Sequence, residues 1–219
     1  MGNPEIPAEV KRELEQKSAD LSLLLELSTQ IGSAQKRRTL YNRVVKLFAE
    51  VAQTEKSSLM LIDEKTNRLR IVAGIGISKE AKRRLRLRIG EGIAGQVVQT
   101  GKPMMINDTV SDHRYKQLYI RRKPVHKTES LLAVPLITKG KVIGVITVSN
   151  KVSRQPFIRN DRILLGALAS QAAVAIENAR LYIEAITDGL TELYVHTYFQ
   201  RRLMEEIERL SRHPAPLAL

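Results

Sequence analysis

The chain has 219 residues, 43 % of them hydrophobic, enough for one well-buried domain with flanking segments. Mean hydropathy is −0.20, and no run approaches the roughly 18 uncharged apolar residues that a membrane-spanning helix needs. With no cysteine, disulfides, thiolate metal sites and thiol catalysis are excluded, and a reducing cytoplasmic setting is expected.

The formal charge of +13 gathers in two places, Lys79–Arg88 and Arg114–Lys127. Such clusters suit an anion-facing surface. Aromatic residues make up only 4 % of the chain, too few for the stacking platform of single-strand nucleic-acid binders, so nucleic acid is not an expected partner. Met1-Gly2-Asn3-Pro4-Glu5 has neither a basic start nor an apolar core, and no cleaved signal peptide is expected.

From about Pro7 to Gln35, Val10, Leu14, Lys17, Leu21, Leu24, Ser28 and Ile31 fall alternately four and three apart, which predicts a dimerising helix. A second helix over Arg38–Ala52 gathers Leu40, Val44, Leu47, Phe48 and Val51 on one face. The period then shortens. Ser57–Ile62 and Leu69–Ala73 read as strands joined by an Asp63–Asn67 hairpin loop. Arg84–Ile89 alternates strictly, as a half-exposed strand does. Ile93–Thr100 is a short helix stopped by Gly101-Lys102-Pro103, and Met104–Ile106 a short strand.

Asn107–Lys127 is polar, basic and irregular, a long surface loop holding a helical turn. Leu131–Ile137 and Val142–Val148 are almost continuously apolar and read as the central strands, joined tightly through Thr138-Lys139-Gly140-Lys141. A long helix begins at Asn160-Asp161, either of which is a suitable N-cap. Leu165, Leu168, Ala172, Ala175, Ala179, Tyr182 and Ile186 form its regular seam, expected to meet a partner chain. Ile163, Ala167, Val174, Ile176 and Leu181 form a second stripe, expected to cover the sheet. The fold class is therefore α/β (α+β): a mostly antiparallel sheet with helices on one face, flanked by long N- and C-terminal helices.

Gly90-Glu91-Gly92-Ile93-Ala94-Gly95-Gln96-Val97, Thr100–Pro103, Asn107-Asp108, Ser130–Leu136, Ile143-Gly144-Val145 and Gln171–Ala179 resemble a GAF domain. The resemblance divides the chain into a helix over 1–35, a GAF sensory domain over 36–183, and a segment over 184–219. It implies a ligand pocket between the sheet and Asn107–Lys127, where Asp108, Asp112, Arg114, Thr128, Glu129 and Ser130 are the polar candidates. The bland alternative is ordinary loop capping, since Asp, Ser and Thr commonly bond nearby backbone in turns. Ligand identity is unknown; a small anionic metabolite or a cyclic nucleotide suits the basic loop. Asn150, Lys151, Phe157 and Asp161 are similar to a motif of cyclic-nucleotide-binding GAF domains. There the Lys–Asp pair locks the sheet exit to the last helix, and Arg162 stands where that motif has a further acid.

Gly90-x-Gly92-x-x-Gly95 also fits a dinucleotide fingerprint, but the arginine-alternating strand before it is not the buried parallel strand that site needs. His113 and His126 lack metal-ligand spacing, and no metal is expected.

Asp188-Gly189-Leu190-Thr191-Glu192-Leu193-Tyr194, Tyr198-Phe199, Arg202-Leu203 and Pro216–Leu219 are similar to the opening of a GGDEF (diguanylate cyclase) domain. Glu192 and Val195 depart from its usual Gly and Asn. The family's catalytic loop would lie beyond Leu219, so this chain is expected to be a regulatory module, a homodimer through its terminal helices, with no complete active site. A ligand-free dimerisation scaffold and a nucleic-acid-binding regulator are the alternatives.

Overall fold

A computed structural model describes residues 34–119, 128–188, 191 and 193–212. The dimerising helix expected before Gln35 falls almost wholly outside the described residues, as do Arg121–Lys127 and Pro216–Leu219 of the expectations above. Among the described residues no helix is long and apolar enough to cross a membrane.

Helix α1 (Ala34–Val51) leads into β1 (Thr54–Asp63) and β2 (Arg68–Ile75). Asp63 closes their turn by accepting from the Thr66 N–H and hydroxyl, both at 3.0 Å. Next come α2 (Lys79–Arg84), β3 (Arg86–Arg88), α3 (Gly92–Thr100), β4 (Met104–Ile106) and α4 (His113–Tyr119). β5 (Leu131–Thr138), β6 (Lys141–Lys151), α5 (Arg159–Ile186) and α6 (His196–Arg212) complete the order. The six strands form one antiparallel sheet in the order β3-β2-β1-β6-β5-β4. Lys139 and Gly140, with φ of 49° and 74°, make the two-residue turn between β5 and β6 that the sequence predicts.

Period-two alternation sends side chains to two separate cores. Leu59, Leu132, Val134, Ile146 and Val148 meet α1 and α5 on one face of the sheet. Met60, Leu131, Ala133 and Val145 meet Ile93, Val97 and Val98 of α3 and Tyr115 of α4 on the other. Helices therefore cover both faces, not one as the sequence suggests. That double burial is why β5 and β6 are so nearly continuous in apolar residues. The middle pair of strands is β1 and β6, with β5 next to them. β1 escapes notice as a central strand because it begins Thr54-Glu55-Lys56-Ser57-Ser58.

Two further expectations are corrected. The alternation of Arg84–Ile89 hides a helix that ends at Arg84. Ser78 caps it by accepting from the Ala81 N–H at 3.1 Å, with Glu80 in the first turn and Lys82, Arg83 and Arg84 in the last. On α5 the first stripe, expected to meet a partner chain, covers the sheet instead, and of the second stripe Ile176 joins it in the core as expected. Leu165, Leu168, Ala172 and Ala175 are buried against the sheet, whereas Val174 and Leu181 are 44 % and 39 % exposed. A three/four repeat marks an apolar face without saying what covers it. The helix also starts earlier than expected, with Ile158 as N-cap. Asp161 acts from inside the first turn, accepting the Ile158 N–H at 2.7 Å.

Candidate functional site

β4, β5 and β6 end or begin at one edge of the molecule, and the loop leading into α5 folds across it. Two amide side chains build this corner. Asn107 donates to the Phe157 carbonyl at 3.0 Å and accepts the Phe157 N–H at 2.8 Å. Asn150, in left-handed conformation with φ of 59°, accepts the Glu129 N–H at 2.9 Å. Lys151 then reaches Asp161 at 2.7 Å and lies 5.4 Å from the centre of the Phe157 ring. The side chains of this pair are only 14 % and 18 % exposed. Sheet exit and helix entry are thus clamped by a desolvated ion pair, and Asp161 holds both Lys151 and the helix's first turn.

A cleft of about 400 Å³ opens beside the clamp. Glu129, Ser130, Asn150 and Lys151 line it together with Glu55 and Arg154. Its wall turns sharply at Arg154, whose φ is 57° and whose N–H donates to the Lys151 carbonyl at 2.9 Å. A side chain other than glycine in this region is uncommon, and such conformers gather at binding and switch segments. Cations, carboxylates, amides and a hydroxyl share the cleft, so it suits a small polar ligand bearing charge.

The six candidate residues divide. Glu129 and Ser130 reach the cleft. Thr128 contributes its carbonyl, which accepts from the buried Thr109 hydroxyl at 2.5 Å. Asp108 caps its own turn, accepting the Val110 N–H at 2.8 Å and the Ser111 hydroxyl at 2.6 Å; these bonds, the hydroxyl foremost, lower its pKa. Asp112 holds Arg114 through the fork, with Nη2 at 2.5 Å and Nε at 3.1 Å, and Arg114 pulls the Asp112 carboxyl down to about 2. The same Nη2 donates to the Met105 carbonyl at 3.1 Å, tying α4 to β4. Glu55, Lys56 and Arg154 of the cleft escaped sequence reasoning. Glu55 and Lys56 sit in a strand start that reads as ordinary surface, and Arg154 is placed by a turn with no glycine to announce it.

In Gly90-x-Gly92-x-x-Gly95, the first and last glycines serve close packing, and Gly92 supplies a positive φ of 66°. A Cβ on Gly95 would stand 2.6 Å from the Arg88 carbonyl oxygen, and the Gly90 N–H donates to the Gly95 carbonyl at 2.9 Å. Among the described residues no three His, Asp or Glu side chains gather as metal ligands would.

A family model described as "GAF domain" matches residues 34–177. A Nif-specific regulatory protein of Azospirillum lipoferum is 30 % identical over 138 residues, which span 62 % of this chain and 22 % of that protein. A probable 3',5'-cyclic phosphodiesterase, pde-5, of Caenorhabditis elegans is 28 % identical over 149 residues, 64 % of this chain and 20 % of that one. The chain thus spans about a fifth of the length of these curated relatives. Among solved structures, the GAF domain of an Acinetobacter phosphoenolpyruvate-protein phosphotransferase superposes with a TM-score of 0.60. It is 22 % identical and covers 77 % of this chain and 95 % of its own, a likeness of fold.

Proposed function

The chain belongs to the GAF domain family, and on that premise we propose that it is the sensory module of a cytoplasmic, homodimeric signalling protein whose output is a diguanylate cyclase. The ligand, a small anionic metabolite or a cyclic nucleotide, binds at the corner where Glu129, Ser130 and Arg154 meet. Asp108, Asp112, Arg114 and Thr128 hold the adjoining loop in place.

One observation carries the proposal: α5 runs unbroken for 28 residues from the Lys151–Asp161 clamp to Ile186, two residues before Asp188. At about 1.5 Å per residue, that is a rod of roughly 42 Å, so a small tilt at the cleft becomes a displacement at the far end. Beyond it, Asp188 accepts from the Thr191 N–H at 2.9 Å and hydroxyl at 2.8 Å, and Thr187 pairs with Tyr194. These bonds are in keeping with the resemblance of the segment from Asp188 to Tyr194 to a cyclase opening. α6 leaves Phe199, Met204 and Ile207 at 45 %, 65 % and 48 % exposure, an apolar face suited to packing under a following domain. Ala167, Val174 and Leu181 recur every seven residues along the open face of α5 and supply the dimer seam.

The test joins this chain, through Leu219, to the catalytic part of a diguanylate cyclase. Dimerisation by sedimentation and cyclic di-GMP formation from GTP are both measured. The pair Val174→Glu and Leu181→Glu should yield monomers and abolish output. A monomeric parent with unchanged output would overturn the proposal. A thermal-shift panel of nucleotides and metabolites addresses the ligand, since a molecule binding only the folded state raises the melting point. Silence across the panel favours a ligand-free scaffold.

A further inference from the structure

A dense cluster of positive charge stands on and beside the β2–β3 ribbon at the edge of the sheet. Residues 68–88 carry eight Lys and Arg against Glu80 alone, so +7 of the +13 lies in this stretch. β2 and β3 pair with Arg68 opposite Arg88 and Arg70 opposite Arg86. Directly paired residues point to the same face of a sheet, so four guanidinium groups rise together from one side. Between them Leu69 and Leu87 point the other way and are buried. All four arginines are exposed.

Like charges directly opposite one another weaken a strand pair, and here two such pairs follow in succession. Little counter-charge answers them. Arg70 lies 3.4 Å from Asp63, and Arg86 donates to the Leu85 carbonyl at 2.8 Å. Glu91 accepts the backbone N–H of Arg88 at 2.9 Å. Among the described residues no carboxylate forms an ion pair with Arg68, Arg86 or Arg88.

Charged side chains on an edge strand discourage pairing with another chain, which accounts for Arg86 and Arg88 of β3 but not for the matching Arg68 and Arg70 on β2, an interior strand. The register makes the array regular, with arginine backbones about 6.8 Å apart along each strand and about 5 Å across. A regular cationic ladder of two successive arginine pairs matches an extended polyanion better than a compact ligand. Arginine rather than lysine favours phosphate, which its planar fork meets with two hydrogen bonds. The ribbon offers no exposed aromatic to stack on bases and none to insert into a lipid surface.

We propose that the β2–β3 ribbon is a docking surface for the phosphodiester backbone of duplex nucleic acid, contacted by Arg68, Arg70, Arg86 and Arg88 without reading sequence. The scarcity of aromatics argues against base stacking, not against backbone contact. Each phosphate neutralised releases counterions, and log K falls with log salt at about −0.9 per contact.

The experiment measures anisotropy of labelled mixed-sequence duplex DNA with the 219-residue chain at salt from 50 to 200 mM. Four contacts predict an affinity loss of about 100-fold across that range. Arg68→Gln, Arg70→Gln, Arg86→Gln and Arg88→Gln together should remove most of the slope. If the quadruple variant does not fold by circular dichroism, Arg68→Gln with Arg88→Gln should halve it. The charge-matched control Arg159→Gln, Arg162→Gln, Arg209→Gln and Arg212→Gln should keep it. An equal loss in the control would reduce the effect to general charge and overturn the proposal. So would an absence of binding at 50 mM salt, or binding to phosphatidylserine vesicles but not to DNA.

Discussion

Asn107 and Phe157, fifty positions apart, exchange two hydrogen bonds through one side-chain amide and one backbone unit. The amide imitates a strand partner for Phe157, whose side chain is buried in the core beneath α1 and α5. Asn107→Ala should strand a part-buried N–H and C=O, costing on the order of 2 kcal/mol. Asn107→Asp, which keeps the acceptor and loses the donor, should fall between. Urea denaturation monitored by circular dichroism checks the order; an alanine variant as stable as the parent would show that the two bonds contribute nothing net.

The Lys151–Asp161 pair makes a different kind of contribution. Both groups have left water, so the pair holds position more than it stabilises. Lys151→Met alone leaves Asp161 largely buried without its cation and should cost about 3 kcal/mol. Lys151→Met with Asp161→Leu should recover much of that loss, although the Ile158 N–H then goes unmet. Additive destabilisation in this double-mutant cycle would argue against coupling of the two side chains.

Local chemistry was legible where one residue type dictates one conformation. Lys139-Gly140 marked the β5–β6 turn, and Gly101 marked the end of α3 with φ of 63°. Tertiary placement was not. The stripes of α5 share one periodicity, and only the sheet beneath Leu165 and Leu168 decides which is inside. In the same way, Arg84 could end a helix or begin a strand. The Ser78 cap decided for the helix, against the alternation that follows. The cleft was half visible: Glu129 and Ser130 stood out as polar residues before an apolar strand. Arg154 gains its place from a turn closed onto Lys151.

Asp112 supplies a pH signature. Arg114 holds its folded-state pKa at about 2, below the 3.8 of a free aspartate. A depressed carboxylate favours folding above its unfolded pKa. That contribution is therefore complete above about pH 4 and is lost as pH falls through 2. Residue-resolved carboxyl carbon shifts should place the Asp112 midpoint near 2 and move it up toward 4 in Arg114→Gln. A parent midpoint already near 4 would mean that the fork is not formed in solution.

Ser57 should respond in the opposite direction from the clamps. It is 1 % exposed in β1, and its hydroxyl finds no hydrogen-bond partner. Its backbone already pairs with β2 and β6, opposite Ile75 and Val148, so only the side chain is at issue. A buried hydroxyl without a partner costs roughly 1–3 kcal/mol relative to water, and alanine removes the oxygen with little change of volume. Ser57→Ala should therefore raise the urea midpoint, by an amount equivalent to about 1 kcal/mol, with the m-value unchanged. Ser57→Val should do less well, because two added methyl groups must fit into a closely packed layer. If alanine instead destabilised the protein, the Ser57 hydroxyl would have to be hydrogen-bonded, with an internal water as its natural partner.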